Sequence, residues 1–310
     1  MKLYRSAHTK INNDCAIALG CFDGVHIGHS KIITETVKSA KSASLTSVVW
    51  SFGTPPKSFF ANDGDSIKLL TDLSEKKRLI KSLGADLLIS IDFNEKIARL
   101  SPREFFEDIL IKRLNAKQIF CGFNYRFGHK GIGDTALLCA LCEEYGVKLT
   151  VIDEISLNER TVSSSAIREY LSNGDIESAS AMLGRGFSLR GKIMDGQHLG
   201  RTLGFPTVNQ EVPKNKATPK NGVYLTCVKF CGKRKYGVTN IGMRPTVNGK
   251  EAVCETHILD FSGDLYGKTV TVEFLKFLRS EKKFSSLDEL SSQVINDIKN
   301  AKSYIKNTGK

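Results

Sequence analysis

The sequence predicts a two-part chain of mixed class: an N-terminal α/β domain on a parallel sheet, then a smaller antiparallel sheet or barrel followed by a helix. Three observations carry this. Apolar strand-like runs alternate with helical stretches through the first part. Short strands separated by turn signals take over after Leu183-Gly184-Arg185-Gly186. At 310 residues the chain is also long for one core, and it divides naturally into 1–183 and 184–310.

In the first part, residues 15–19, 47–52, 86–91, 118–121 and 148–152 read as strands. Ser101-Pro102-Arg103-Glu104 starts a helix: a capping serine, proline at the first helical position and glutamate at the third. Gly84 and Gly146 end two other helical stretches, where a left-handed residue is commonly needed. Such alternation implies helices covering a parallel sheet, with ligands at the strands' carboxyl ends. In the second part, strands are expected at 187–193, 223–230, 235–239, 252–261 and 269–277, with a turn at Ser262-Gly263-Asp264. Ser286-Leu287-Asp288-Glu289 has the form of a capping box opening the last helix. Its stripe Leu287, Leu290, Val294, Ile298, Ala301 and Ile305 is a core-facing side.

Composition narrows the class. Hydrophobic residues at 41% and charged residues at 25% describe an ordinary globular protein. No apolar run reaches membrane-spanning length and no signal peptide is evident, so a cytoplasmic protein without a membrane partner is expected. Of the eight cysteines, Cys15, Cys21, Cys121 and Cys254 lie in or beside apolar runs as small hydrophobes. Cys139-x-x-Cys142 and the pair Cys227 and Cys231 lack the tight knuckle context of a zinc site. The net charge of +12 is scattered, apart from Lys233-Arg234-Lys235 and a lysine-rich C-terminus. Without an aromatic-interleaved basic stripe, this charge suits anionic small substrates better than nucleic acid.

The most informative segment is Gly20-Cys-Phe-Asp-Gly-Val-His-Ile-Gly-His29, between the first of these strands and a helix. A helix start offers unpaired N–H groups and the positive end of the dipole to a phosphate. His26 and His29 share one side of that turn, and Gly24 and Gly28 let the backbone approach a ligand. Gly122-Phe-Asn-Tyr-Arg-Phe-Gly128 follows a later strand, and its Asn124 and Arg126 suit contact with a base or flavin ring. Val162-Ser-Ser-Ser-Ala-Ile-Arg168 opens a helix that its serines can cap, with Arg168 one turn on and able to reach a phosphate. In the second part, Gly200-Arg-Thr-Leu-Gly-Phe-Pro-Thr-Val-Asn209 frees backbone at Gly200 and Gly204. Its Thr207 and Asn209 project from one face of an extended segment, two neutral oxygens suited to Mg²⁺ beside a triphosphate.

The first three segments resemble the G-x-F-D-G-x-H-x-G-H, G-x-[DN]-F-R-F-G and [IV]-S-S-T-x-I-R motifs of the nucleotidyltransferase superfamily, in particular the bacterial bifunctional riboflavin kinase/FAD synthetases. Ser165 and Tyr125 are mild departures. The second part looks like riboflavin kinase throughout: Gly200–209, Asn221-Gly-Val-Tyr224, Asn240-Ile-Gly-Met-Arg-Pro-Thr246, Glu255-Thr-His-Ile-Leu-Asp-Phe261, Asp264-Leu-Tyr-Gly267 and Leu278-Arg-Ser-Glu-Lys-Lys-Phe284 follow in order.

The resemblance implies a Rossmann-like adenylyltransferase domain and a small kinase barrel. Together they would use ATP with Mg²⁺ to convert riboflavin to FMN and FMN to FAD. It implies phosphate or ATP contacts from Gly20, Phe22, Asp23, Gly24, His26, Gly28, His29, Ser164 and Arg168, and from Gly200, Arg201 and Gly204. Flavin contacts fall to Asn124, Arg126 and Arg279. Glu255 falls at the kinase's general base, and His26 and His29 at charge stabilisation during adenylyl transfer. One departure is larger. Where the family reads Phe-Glu/Asp-Pro-His-Pro, this chain reads Phe52-Gly53-Thr54-Pro55-Pro56, lacking an acid and a histidine. Two alternatives follow: a riboflavin kinase with a weak or inactive adenylyltransferase domain, and a flavin- or nucleotide-binding regulator.

Overall fold

The structure, a computed structural model, describes residues 1–59, 67–194, 204–246 and 249–308. Its contacts divide the chain into two units, Met1–Ser164 and Ser165–Lys310.

The first unit is built on six strands: β1 (Lys2–Tyr4), β2 (Cys15–Leu19), β3 (Thr46–Phe52), β4 (Leu87–Ile91), β5 (Ala116–Gly122) and β6 (Lys148–Ile152). They form one sheet in the order β1-β4-β3-β2-β5-β6, with every pair parallel. The helices are α1 (Ile27–Ser42), α2 (Pro56–Phe59), α3 (Leu73–Ser82), α4 (Glu95–Arg99), α5 (Pro102–Glu104), which continues as a wider turn over Phe105–Ile111, and α6 (Thr135–Glu144). A small hairpin, β7 (Ser156–Leu157) and β8 (Arg160–Thr161), closes the unit. β2 is buried along its whole length. Ile17 and Leu19 pack with Trp50, Ile89 and Phe106, while Ala16 and Ala18 pack with Ile33, Val37 and Ile80. A strand buried on both sides reads as a continuous apolar run, which is why 15–19 was visible in sequence. The three-residue β1 was not expected; it is too short and too exposed to carry a pattern.

Helix ends follow their residues. Ser101 Oγ accepts from Glu104 N at 3.2 Å and Glu104 Oε2 accepts from Ser101 N at 2.8 Å, a complete capping box. Gly84 and Gly146 adopt φ of 91° and 64° after α3 and α6.

The second unit contains α7 (Ser164–Asn173), whose first residue belongs to the first unit, α8 (Ile176–Leu183) and six strands closed into an antiparallel barrel. The strands are β9 (Ser188–Met194), β10 (Thr207–Glu211), β11 (Gly222–Phe230), β12 (Lys233–Thr246), β13 (Gly249–Ile258) and β14 (Thr269–Arg279). Their order is β10-β13-β12-β11-β14-β9, and β9 pairs back with β10. Tyr224, Phe274, Ile241 and Cys254 fill the interior. There, too, the hydroxyls of Thr226, Thr239 and Thr256 form a string, 2.8 and 2.9 Å apart. The last helix, α9 (Leu287–Thr308), packs Ala301, Ile298 and Ile305 with Val223, Leu225 and Val238.

Beyond β1, the structure differs from expectation in further details; Leu287 of the expected core-facing stripe, for one, is 53% exposed. β12 extends beyond the expected 235–239, because it pairs along its length with both β11 and β13. β13 stops at Ile258 rather than 261, where Asp260 takes φ of 50° and turns the chain. β10 is an interior strand bonded on both sides. At α9, Ser286 Oγ accepts from Glu289 N, but the Glu289 carboxylate accepts from Ser285 N and Oγ, one residue earlier than a capping box requires. These bonds and Lys282 hold the Glu289 carboxyl down to about 2. The contacts also group α7 and α8 with the barrel. Ile176, Met182 and Leu183 of α8 are buried, α8 packs against β14, and Lys220 N donates to Leu171 O.

Candidate active sites

In the first unit, the Gly20–His29 turn begins where β2 ends. There the strand order reverses, with β3 on one side of β2 and β5 on the other. This is the switch point at which open α/β sheets hold ligands. The turn is tightly wound: Phe22, Gly24 and Val25 have φ of 48°, 83° and 40°. A Cβ on Gly20 would meet the Phe22 ring at 3.0 Å, and one on Gly28 would meet the His26 ring at 3.2 Å. His26 is the N-cap of α1, its Nδ1 accepting from His29 N at 3.3 Å. The two imidazoles stack with centroids 3.5 Å apart, and Phe22 meets His29 edge-on. Burial, then His26, then Lys76 push the His29 pKa well below its usual value. Its Nδ1 is buried without a hydrogen-bond partner among the described residues.

Asp23 is 2% exposed and turns inward. Its carboxylate accepts from Leu70 N at 3.0 Å and Thr71 N at 3.1 Å, while Gly24 N donates to Thr71 Oγ1. Asp23 thus fixes the shape of the turn. Ser164 Oγ donates to Asp23 O at 2.9 Å, joining the serine-rich segment to the same turn. Arg168 is half-buried on the second turn of α7. In the loop after β5, Asn124 is exposed, and Arg126 forms an exposed ion pair at 3.7 Å with Asp134, the N-cap of α6. Tyr125 stacks on Phe127 beneath it. At 53–56, a Cβ on Gly53 would lie 2.9 Å from Asp92 Oδ1.

In the second unit, Gly200 and Arg201 lie outside the described residues; Gly204 has φ of 83°. Register places Asn209 of β10 opposite Glu255 of β13, and Glu255 opposite Asn240 of β12. Directly opposed residues share one face, so these three side chains form a row across three strands. The row continues through Val223 to Arg279. Its neighbours along β13, Cys254 and Thr256, point the other way into the barrel, so the row lies on the outer face. Thr207, two residues before Asn209, shares that face opposite His257. Asn209 is 9% exposed and its Oδ1 has no hydrogen-bond partner among the described residues. Arg279 is held rather than free: Nε and Nη2 donate to the buried Asp297 carboxylate of α9 at 2.9 and 2.8 Å, and Nη1 donates to Ser280 O. Among the described residues no group of three or more histidine, cysteine or acidic side chains could hold a metal, and none of the eight cysteines is in a disulfide.

Three residues of these sites were missed in sequence, Thr71, Lys76 and Asp297, while Asn240 was read only as part of a kinase-like segment. Lys76 left a trace, since it lies four residues before the buried Ile80, at the inward phase of α3. The others depend on pairings distant in sequence.

A glycine-rich, histidine-bearing turn at a parallel-sheet switch point, and a carboxylate flanked by amides on a separate barrel, are the arrangement expected of a two-part nucleotide-using transferase. Family models agree for each part: FAD synthetase matches residues 8–166 and riboflavin kinase residues 183–305. The chain is 36% identical to a bifunctional riboflavin kinase/FMN adenylyltransferase of Buchnera aphidicola subsp. Schizaphis graminum, over 98% of this chain and 99% of that one. It is 35% identical to the enzyme of that description from Escherichia coli K12, covering 96% of each, and 34% to that from Bacillus subtilis, covering 95% and 93%. A solved structure described as a macrolide-efflux protein from Streptococcus pneumoniae matches with a TM-score of 0.88 at 29% identity, covering 97% of this chain and 98% of that one. Among the described residues no helix is long and apolar enough to cross a membrane. The chain belongs to the bifunctional riboflavin kinase/FMN adenylyltransferase family. Its two activities are phosphorylation of riboflavin and adenylylation of FMN.

Proposed function

We propose that each unit carries one step, with ATP as the donor in both. The barrel, with residues 184–310 as its functional core, transfers the γ-phosphoryl group of ATP to riboflavin, giving FMN and ADP. The α/β unit transfers AMP from a second ATP to FMN, giving FAD and pyrophosphate. The observation that carries the kinase assignment is the Asn209–Glu255–Asn240 row, in which the Asn209 oxygen has no hydrogen-bond partner among the described residues.

In the kinase step, Glu255 accepts the proton of the ribityl 5′-hydroxyl as its oxygen attacks the γ-phosphorus. Thr207 and Asn209 fit Mg²⁺, which takes oxygen ligands and shares them with nucleotide phosphates. When bound, the ion neutralises phosphate charge. Gly200, Arg201 and Gly204 approach those phosphates, and Arg279, braced by Asp297, meets the flavin.

In the adenylyl step, the FMN phosphate is the nucleophile and attacks the α-phosphorus of ATP, and pyrophosphate leaves with the bonding electrons. No protein nucleophile is needed. The turn's Gly20, Phe22, Asp23, Gly24 and Gly28, together with Ser164, shape the phosphate site. His26 and His29 face the departing pyrophosphate. Burial and the neighbouring His26 and Lys76 lower the His29 pKa, and a bound phosphate would supply negative charge that favours its protonation. Asn124 and Arg126 contact the flavin or the base. This chemistry suits the cytoplasm, where ATP and flavin are available.

A weaker adenylyltransferase is a second reading, favoured by the altered 53–56 segment. One experiment addresses both: the full chain with riboflavin, ATP and Mg²⁺, sampled over time with FMN and FAD separated. FMN accumulating before FAD supports two active units with a slow second step. FMN alone supports the kinase-only reading, and neither product supports a binding regulator.

A further inference from the structure

Lys76 of α3 is 2% exposed, yet it carries a cationic group into the first unit. Its Nζ donates to Phe52 O at 2.7 Å and Cys21 O at 2.9 Å and lies 3.4 Å from Ser51 Oγ, so all three of its donors are directed. Ser51 Oγ in turn donates to Cys21 O at 2.8 Å. Cys21 is the second residue of the phosphate turn, and Phe52 is the last residue of β3. The ammonium therefore ties two neighbouring strand ends together at the edge of the site.

Stability alone does not explain a lysine here. A charge held by carbonyls inside a domain loses more in desolvation than it recovers, and an apolar side chain of similar volume usually serves a core better. The titratable groups that face Lys76 are Asp23, the Cys21 thiol and His29, and the first two oppose the fall in pKa that burial imposes on it. The charged groups that face His29 are His26 and Lys76.

We propose that Lys76 is a positioning residue for adenylyl transfer, clamping the phosphate turn to the end of β3 and setting a fixed positive charge close to His29. This rests on the reading of the turn as the adenylyl-transfer site. Lys76 touches no substrate; it acts through Cys21, Phe52 and His29. Removing it loosens the turn and takes away a charge that both attracts the triphosphate and discourages protonation of the imidazole.

The test uses the full chain with Lys76→Met, Lys76→Gln and His29→Ala. FAD formation from supplied FMN, FMN formation from riboflavin and the NMR titration of the His29 ring are measured on each protein that retains it. Lys76→Met should lower kcat for FAD formation by roughly 10–10²-fold, the loss typical of a slightly misplaced reacting group. KM for FMN should change little and FMN formation should be unaffected. The His29 ring should titrate at higher pH than in the unaltered chain, a change that a purely structural role would not produce. If Lys76→Met does not fold, Lys76→Gln, which keeps hydrogen-bond donors and loses the charge, carries the same expectations. Normal FAD formation with an unmoved His29 titration overturns the proposal. If His29→Ala also forms FAD normally, the reading of the turn itself fails. If only His29→Ala is impaired, the turn stands and the role of Lys76 falls.

Discussion

Glu255→Gln separates chemistry from structure in the kinase unit. Glu255 is half-buried in the middle of β13, opposite Asn209 on one side and Asn240 on the other. Glutamine keeps its length and shape, so both strand pairings are retained. The change in folding stability should stay within the range of ordinary surface substitutions, about 0.5 kcal/mol. What disappears is basicity. Loss of a general base costs about 10²–10⁴-fold. At about 1.36 kcal/mol per decade this is roughly 3–5 kcal/mol of barrier, well above the structural cost. The FMN-forming rate should fall by that factor. ATP affinity should be nearly unchanged, because Thr207 and Asn209 stand on β10 rather than β13. FAD formation from added FMN should also be unchanged, because His26 and His29 belong to the other unit. The assays are riboflavin turnover, ATP binding and adenylylation of FMN, with thermal unfolding alongside. Near-normal riboflavin turnover in a folded variant would remove Glu255 from the mechanism.

A fragment of residues 165–310 should fold and make FMN but no FAD, whereas residues 184–310 should be markedly less stable. The shorter piece exposes the surface that Ile176, Met182 and Leu183 cover, each worth about 1.5–3 kcal/mol; equal unfolding midpoints would show that α8 is dispensable. Stability should rise with pH across the window below 6.5, because His29 titrates lower when folded than its ordinary 6.5, so the unfolded chain binds the extra proton there. Urea midpoints of the unaltered chain should therefore fall more steeply on acidification than those of His29→Asn, and parallel curves would refute this. Gly53→Asp should cost about 1 kcal/mol by crowding the Asp92 carboxylate, and the cost should vanish in an Asp92→Ala background; additive effects in the double variant would show that the two positions do not meet.

What was legible in the sequence was local. The apolar run of β2 appeared because both faces of that strand are buried. The start of α5 appeared because a capping box is spelled within four residues. The Gly20–His29 turn appeared because its glycines and histidines act on one another over less than three turns of helix. The paired strands of the barrel were found with blurred ends, since β12 runs on under the control of its partners rather than its own residues. The inward turn of Asp23 was not legible. In sequence it is an acid beside a phosphate motif; in the fold its acceptors are spent on Leu70 and Thr71. Arg279 was visible as a cation, but its brace, Asp297, lies on the far side of a helix start.

The altered 53–56 segment shows how these two kinds of information combine. In sequence the family's acid is simply absent at Gly53. In the fold the space beside Gly53 holds a carboxylate all the same, that of Asp92 just beyond the end of β4. Gly53 N donates to Ile91 O at 2.9 Å, so the two strand ends are bonded where the carboxylate stands. Asp92 also pairs with Arg5 at 3.1 Å, although both are largely exposed and the pair adds little stability. A side chain at 53 would meet the Asp92 carboxylate, the exposed end of a side chain that can move aside at modest cost. The missing histidine has no counterpart among these contacts. Asp92 therefore stands beside position 53 without restoring the motif, and with its acid and histidine both absent the expected consequence is a slowed adenylyl step rather than an abolished one.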